Sequence, residues 1–100
     1  MTTKAAYKLK SKIMVYPGFG AWRFLHIEKK TSEEIKAKYG KKAVGFGSIR
    51  VEVTIGKSVW KTSIFPDKKS GVYLLPTKAS VRKAEGIDDE DTIAFQIRII

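Results

Sequence analysis

The feature that most constrains the fold is a pair of alternating segments, SIRVEVTI and SVWKTSIF, joined by the two residues Gly56-Lys57. Alternation with a period of two is typical of strands that bury one face. Glycine supplies the positive φ that a two-residue turn needs. The spacing therefore predicts a β-hairpin.

The register of this hairpin follows from placing Ile55 opposite Ser58. The apolar face then consists of the cross-strand pairs Val53–Trp60, Val51–Thr62 and Ile49–Ile64. On the other face Glu52 lies opposite Lys61, a pair worth about 0.2–1 kcal/mol. A slip of one residue would mix the apolar and charged faces, so the pattern indicates one register.

Four further segments read as strands. Tyr7–Ile13 alternates, with Lys8, Lys10 and Lys12 facing outward. Trp22–Ile27 follows without an intervening helix, which predicts that these two strands form an antiparallel pair. Val72–Leu75 is a short apolar strand. The final strand is Thr92–Ile100, and its inward residues are Ile93, Phe95, Ile97 and Ile99.

Two short helices are predicted between the strands. The first runs from Thr31 to Gly40, because Thr31 and Glu34 have capping-box spacing and Gly40 can take the left-handed position after a helix. The second follows Pro76, reaches about Glu85 and stops at Gly86. The chain is thus predicted to be mainly β with two short α-helices. No linker interrupts residues 1–100, which indicates a single domain.

The two halves of the chain resemble each other. RFLHIEKKTSEEIKAKYG and VYLLPTKASVRKAEG both run strand, cap, short helix and glycine, and SIRVEVTI matches TIAFQIRI. Two such units favour a small β-barrel with pseudo-two-fold symmetry. The spacing between the matched segments is not constant, so the chain is not a tandem array. Chance similarity between short alternating strands is the alternative.

The segment Gly86-Ile87-Asp88-Asp89-Glu90-Asp91-Thr92-Ile93 resembles the G-[IL]-x-x-x-D-x-[IVL] turn of AbrB/MazE-type transcription factors and antitoxins. Those proteins are swapped-hairpin dimers of double-split β-barrel fold. They carry an Arg-Arg pair in the helix before the glycine, which Arg82-Lys83 matches. The equivalent positions in the other half are Lys36 and Ala37.

A closer resemblance extends from Tyr7 to Ile99. It is to a bacterial family known only as a domain of unknown function, found alone or ahead of a YdeI/OmpD-associated (bacteriocin-protection) domain. The matching motifs are Trp22-Arg23-Phe24-Leu25, Thr62-Ser63-Ile64-Phe65-Pro66, Gly71-Val72-Tyr73-Leu74-Leu75-Pro76-Thr77-Lys78, Val81-Arg82-Lys83 and Gly86-Ile87. Glu90 stands where the family has glycine. The resemblance implies a single-chain double-split β-barrel, which is expected to be monomeric, and no established activity.

Composition excludes several classes of site. The chain has no cysteine and one histidine, His26, so thiol chemistry and a cluster of imidazole ligands are absent. No serine lies in a G-x-S-x-G context, and no cofactor or metal site is predicted. Lysines interrupt the N-terminal segment, and no apolar run is long enough to cross a membrane. A cytoplasmic protein is therefore expected.

The formal net charge at pH 7 is unusually high for a chain of this length, at +10. Residues 1–50 carry 12 Lys/Arg against 3 Asp/Glu, whereas residues 51–100 carry 8 against 7. Such a field attracts polyanions, although it also keeps a protein soluble. The candidate nucleic-acid-binding residues are Lys8, Lys10, Lys12, Lys36, Lys38, Arg82 and Lys83. The stripe on the first strand could instead discourage edge pairing, and Arg82 and Lys83 could simply complement the helix dipole.

The remaining candidates are weaker. Two segments, Gly18–Arg23 and Gly45–Arg50, begin like GxGxxG but have arginine in place of the third glycine. Asp91 is expected to bond amides within the acidic turn, and His26 to pack or lie at a rim. Tyr16, Phe19 and Trp22 could present an aromatic patch to a partner or plug the barrel mouth.

The leading hypothesis for function is therefore a non-catalytic binding or accessory module for an unknown protein partner. Low-specificity nucleic-acid binding through a basic face is the alternative. An enzyme is not expected, because it would need a deep polar pocket around His26 or Asp67. The barrel is predicted to be filled by Trp22, Val53, Trp60 and Phe95, which would leave no room for such a pocket.

Overall fold

The computed structural model describes residues 6–16, 22–43 and 47–100. These residues form a mainly β structure of seven strands, two α-helices and one turn of 3₁₀-helix at Gly40–Lys42. The elements are β1 (Ala6–Lys12), β2 (Met14–Tyr16), β3 (Trp22–His26), α1 (Lys29–Tyr39), β4 (Ile49–Ile55), β5 (Ser58–Asp67), β6 (Val72–Pro76), α2 (Ala79–Ala84) and β7 (Thr92–Ile99).

The strands form an antiparallel sheet in the order β1-β7-β4-β5-β6-β3-β2. Its edge strands, β1 and β2, are consecutive in the chain and only Ile13 separates them. The Ile13 amide donates to the Asp91 carbonyl at 2.9 Å, and the Glu90 amide donates to the Ile13 carbonyl at 3.0 Å. Because one segment serves both edges, the sheet curls into a barrel-like shape.

The β4–β5 hairpin has the predicted register, with Ile55 opposite Ser58 and Ile49 opposite Ile64. Gly56 has a φ of 55°, as the two-residue turn requires. Glu52 does lie opposite Lys61, but its carboxylate accepts a hydrogen bond from Arg98 of β7 at 2.9 Å. The stabilising charge pair on this face therefore joins β4 to β7.

The core consists of the inward side chains of the sheet together with one residue from each helix, Ile35 and Val81. The four predicted inward residues of the last strand are all buried, which confirms that prediction. The side chains with no exposed surface are Ile13, Leu25, Ile27, Ile35, Val51, Val53, Ile64, Leu75, Ile97 and Ile99.

Several backbone contacts recur at a spacing of 50 residues. In the β3–β6 pair, Leu25 lies opposite Leu75. The Ile27 amide donates to the Tyr73 carbonyl at 3.0 Å, and the Thr77 amide donates to the Arg23 carbonyl at 2.9 Å. The two helices begin at residues 29 and 79, in step with this spacing.

A side-chain contact recurs in the same way. The Ser32 hydroxyl donates to the Ile27 carbonyl at 2.9 Å, and the Arg82 Nε donates to the Thr77 carbonyl at 3.1 Å. Arg82 thus holds in α2 the position that Ser32 holds in α1. The sequence similarity between the two halves matches Arg82 with Lys36, one turn further along α1, because it aligns the ends of the helices instead of their starts.

Two predictions about the first half of the chain are wrong. Tyr7–Ile13 does not pair with the strand that begins at Trp22, because β1 pairs with β7 and the unpredicted strand β2 pairs with β3. The first helix begins at Lys29, so Thr31 and Glu34 form no capping box. The Thr31 hydroxyl donates to the Glu28 carboxylate at 2.7 Å instead.

Turn conformations also differ between the two halves. Gly40 has a φ of −56° and continues into the 3₁₀ turn, so its predicted left-handed conformation is wrong. Gly86 does take a positive φ, 63°, after α2. Glu90 has a φ of 68°, which explains why glycine is expected at that position.

Candidate binding groove

The lysine stripe lies on the outer face of β1. Lys8, Lys10 and Lys12 are exposed, whereas the alternate residues Tyr7 and Leu9 are half-buried and pack against the core. The amines therefore point away from the sheet, as predicted. They face solvent along the strand that forms one edge of the sheet.

Two more of the predicted lysines, Lys36 and Lys38, are exposed in the last turn of α1. Lys38 Nζ lies 3.4 Å from the Glu34 carboxylate. Contact with Tyr7 and then with Lys38 holds the pKa of Glu34 below its ordinary value, and burial raises the pKa of Tyr7. Part of the charge of Lys38 is therefore balanced within the helix.

The last two predicted residues, Arg82 and Lys83, lie on α2, and both line a shallow depression of the surface beside Asp88. Arg82 is half-buried and lines a larger groove with Trp22 and Trp60. The seven predicted residues are thus distributed over β1, α1 and α2, and only Arg82 belongs to this groove.

We call this larger depression the tryptophan groove. It has a volume of about 500 Å³ and lies between the ends of β3 and β6, the middle of β5 and the start of α2. Trp22 is 53% exposed at its wall, so the prediction that this side chain fills the barrel is wrong. Val53 and Phe95 do fill the interior, and Trp60 packs against the core from the groove side.

Aromatic rings continue from the tryptophan groove onto the outer face of the sheet. The Trp22 and Phe24 rings are stacked with centroids 5.9 Å apart, and Tyr16 meets Phe24 edge-on at 4.8 Å. Phe65 is 39% exposed and lines both the groove and a second cavity of about 450 Å³ beside these rings. The predicted aromatic patch is therefore present at Tyr16 and Trp22, while Phe19 lies outside the described residues.

Four cationic side chains line the tryptophan groove: Arg23, Lys61, Lys78 and Arg82. Arg23 forms a two-pronged contact with Asp89, at 2.9 and 3.1 Å, which holds the pKa of Asp89 below its ordinary value. In the part of the chain that the structure describes, neither Lys61 nor Lys78 has an ion-pair partner. The groove therefore keeps a net positive charge after the Arg23–Asp89 pair is discounted.

The second cavity has the opposite charge. It is lined by apolar and aromatic side chains and by Asp67, whose carboxylate accepts a hydrogen bond from Ser70 at 2.7 Å. That bond lowers the pKa of Asp67, so the group is ionised at neutral pH. The wall formed by Trp22 and Phe65 thus separates a basic groove from a cavity that carries a carboxylate.

The other candidates take structural places. His26 is half-buried at the rim, and its Nε2 shares a 3.1 Å hydrogen bond with the Tyr16 hydroxyl. The Asp91 carboxylate accepts the Asp88 amide at 2.8 Å, which confirms its predicted role in the turn. Gly18–Ala21 and Gly45-Phe46 of the glycine-containing segments lie outside the described residues. Among residues with described placement, no three His, Asp or Glu side chains form a metal-binding group.

Sequence reasoning missed Lys61 and Lys78 as site residues. They are distant in the chain, and only the β5–β6 pairing followed by the turn into α2 brings them to one groove. The hairpin pattern places Trp60 correctly on the apolar face. At Trp22, the second tryptophan of the groove, nothing in the sequence distinguishes an exposed ring from a buried one.

Comparison with known proteins adds a family and no activity. No curated protein matches the chain. None of the helices in the described segments is long and apolar enough to cross a membrane. Residues 10–97 match the family described as Domain of unknown function (DUF1905). Since this match covers most of the chain, including β3 to α2 and therefore the whole tryptophan groove, the chain belongs to that family.

Proposed function

We propose that the domain is a non-catalytic binding module, a cytoplasmic monomer, and that it holds an anionic partner in the tryptophan groove. The observation that carries the proposal is the exposed Trp22 ring beside Lys61, Lys78 and Arg82. Arg82 also donates to the Thr77 carbonyl, but the exposed Trp22 ring and the Lys61 and Lys78 amines, which form no ion pair among the described residues, are features that the fold does not need for its stability. Together they favour recognition of negative charge attached to a flat or apolar group.

We also propose that the barrel is a single-chain double-split barrel with pseudo-two-fold symmetry, distantly similar to the AbrB/MazE type. The contacts that recur at a spacing of 50 residues support this relation. The Leu25–Leu75 pair and the Val53–Ile97 pair would then lie on the pseudo-two-fold axis, because each joins matched positions of the two halves.

The two halves differ where the groove is formed. The positions that correspond to Trp22, Lys78 and Arg82 are occupied by Val72, Glu28 and Ser32. Because matched positions share backbone geometry, the Trp22 ring and the Lys78 amine are not required to build the half-barrel, whereas Arg82 donates to the Thr77 carbonyl as Ser32 donates to the Ile27 carbonyl. This asymmetry supports a binding role for one half only.

The lysine stripe of β1 is the alternative surface, since its three amines are exposed along one strand. Together with Lys36, Lys38, Arg82 and Lys83 it would serve low-specificity nucleic-acid binding by phosphate contact alone. Arg82 is the one residue common to both surfaces, so substitutions at Lys61 and Lys78 on one side and at the β1 lysines on the other distinguish them.

The chain contains two tryptophans and both line the tryptophan groove, so intrinsic fluorescence reports directly on this site. We would titrate the protein at low salt with heparin, poly-glutamate and an oligothymidylate. At least one polyanion should change the emission in a saturable way. The double variant Lys61→Glu/Lys78→Glu should lose the change.

The double variant Lys57→Glu/Lys68→Glu, at two exposed turns, makes the same charge change outside the groove and should leave the titration unaltered. If no polyanion changes the emission even at low salt, the proposal fails. If binding survives the double variant and Lys10→Glu abolishes it, the lysine stripe is the binding surface and the groove is not.

A further inference from the structure

We infer that the anionic partner is single-stranded nucleic acid, with bases stacked on Trp22 and Phe65 and phosphates held by Lys61, Lys78 and Arg82. This inference rests on the proposed function of the tryptophan groove and names the chemistry of its partner. It uses a different surface from the lysine stripe.

The first step is the availability of ring surface. Trp22 is 53% exposed and Phe65 is 39% exposed, although both are large apolar side chains that burial would stabilise. Phe24 backs Trp22 at a centroid distance of 5.9 Å and Tyr16 backs Phe24. A supported ring loses little conformational freedom when a base stacks on it, because its neighbours already restrict its rotation.

The second step is the separation of charge across the wall of rings. Cations lie on the groove side of Trp22 and Phe65, and the Asp67 carboxylate lies on the other side. A nucleotide has the same separation, with an anionic phosphate at one end and a flat uncharged base at the other. Phosphates would be attracted to the groove and repelled from the second cavity, which leaves the base to cover the rings.

The third step excludes the competing polyanions. In duplex DNA the bases are already stacked on each other, so they cannot also stack on Trp22 without being extruded. An acidic peptide would use the cations and leave the exposed rings without a matching flat surface. Single strands use both features, and stacking of this kind tolerates any base sequence.

The central comparison in the test is between two oligomers that differ only in their bases. We would measure anisotropy of a labelled oligothymidylate of about 10 nucleotides, a length within the range that small ssDNA-binding domains cover. An abasic deoxyribose-phosphate oligomer of equal length, a duplex and poly-glutamate would compete. The abasic oligomer should bind roughly 5- to 150-fold more weakly for each stacked base it lacks.

Trp22→Ala should weaken binding of the oligothymidylate by a similar factor and leave binding of the abasic oligomer unchanged. Phe65→Ala is the second variant, and Trp22→Phe should restore part of the affinity. Val59→Ala is the matched control, because Val59 is 58% exposed on β5 and does not line the groove. With three phosphate contacts, the log–log salt slope should be about −2.

The inference is overturned if the abasic oligomer, the duplex or poly-glutamate binds as tightly as the oligothymidylate. In that case a fluorescence response that the Lys61→Glu/Lys78→Glu variant loses would leave the proposed function standing. If none of the probes binds, the inference fails, and the proposed function fails with it if heparin also leaves the tryptophan emission unchanged.

Discussion

Ser32 is a buried polar residue whose loss should destabilise the fold more than any surface substitution. Its side chain is 2% exposed and lies between α1, the end of β3 and β6. The hydroxyl donates to the Ile27 carbonyl at 2.9 Å and accepts the Tyr73 amide at 3.0 Å. Ser32→Ala removes both bonds at once without a large change in volume.

The expected loss follows from these two bonds. A hydrogen bond contributes about 0.5–1.5 kcal/mol net, and a buried donor left without an acceptor costs about 1–3 kcal/mol. Ser32→Ala gives up the bond to Ile27 and leaves the Tyr73 amide unsatisfied, so the free energy of unfolding should fall by about 2–4 kcal/mol. In a domain of this size that corresponds to a decrease in Tm of about 10–30 °C.

Urea unfolding followed by intrinsic fluorescence, together with a thermal scan, measures this loss. Ser70→Ala is the matched control, because Ser70 is exposed and makes a single side-chain bond to Asp67. The control should lie within about 1 kcal/mol of the parent. A Ser32→Ala protein as stable as the control would refute the view that this hydroxyl couples α1 to the sheet.

Three further predictions concern the acid side of the stability curve, the hairpin turn and the core. Arg23 lowers the pKa of Asp89, so the stability that this pair contributes is present above about pH 4 and is lost as the pH falls through the lowered pKa. Between neutral and strongly acid pH, the Tm of the Asp89→Asn variant should therefore decrease less than the Tm of the parent. Gly56→Ala should cost about 1–2 kcal/mol in urea unfolding, because φ is 55° and the added Cβ displaces the Glu85 carboxylate. Leu25→Ala, at a site with no exposed surface, should cost about 2–5 kcal/mol, and a value below 1 kcal/mol would contradict the assigned core.

Much of the fold could be predicted from local patterns. The hairpin register was predictable because alternation and a two-residue glycine turn fix each side chain relative to its neighbour. The last strand was predictable for the same reason. Helix existence was also clear, but α1 begins at Lys29 without a side-chain cap, so the capping signal at Thr31 pointed two residues too late.

Long-range pairing could not be predicted in this way. The segment around Ile13 forms both edge strands of the sheet, β1 before Ile13 and β2 after it. Nothing in the alternation of its residues shows where one strand ends and the other begins. The match between Ser32 and Arg82 was also hidden, because a buried hydroxyl and a half-exposed guanidinium share no residue-type signal. Their common position becomes clear only from the hydrogen-bond acceptors of the two side chains, which are the equivalent carbonyls of Ile27 and Thr77.

The candidate groove was predicted only in part. Arg82 was singled out, but for a face shared with Lys36 and Lys38, whereas the fold joins it to Lys61 and Lys78. These cations are separated by a strand and a turn, so their proximity depends on the whole β5–β6–α2 arrangement. The predicted pairing of Trp60 with Val53 indicates that Trp60 faces the core. The same pairing does not indicate that Trp60 also lines the groove.

The most direct measurement is an amide and indole chemical-shift titration of the uniformly ¹⁵N-labelled protein with the oligothymidylate. The chain has two tryptophans, so each indole N–H gives its own signal from the groove. We expect both indole signals and the amides of Lys61, Lys78 and Arg82 to shift together and saturate, while the amides of Lys8, Lys10 and Lys12 stay in place. Shifts confined to β1, or none at all at low salt, would contradict the assignment of the tryptophan groove as the binding site.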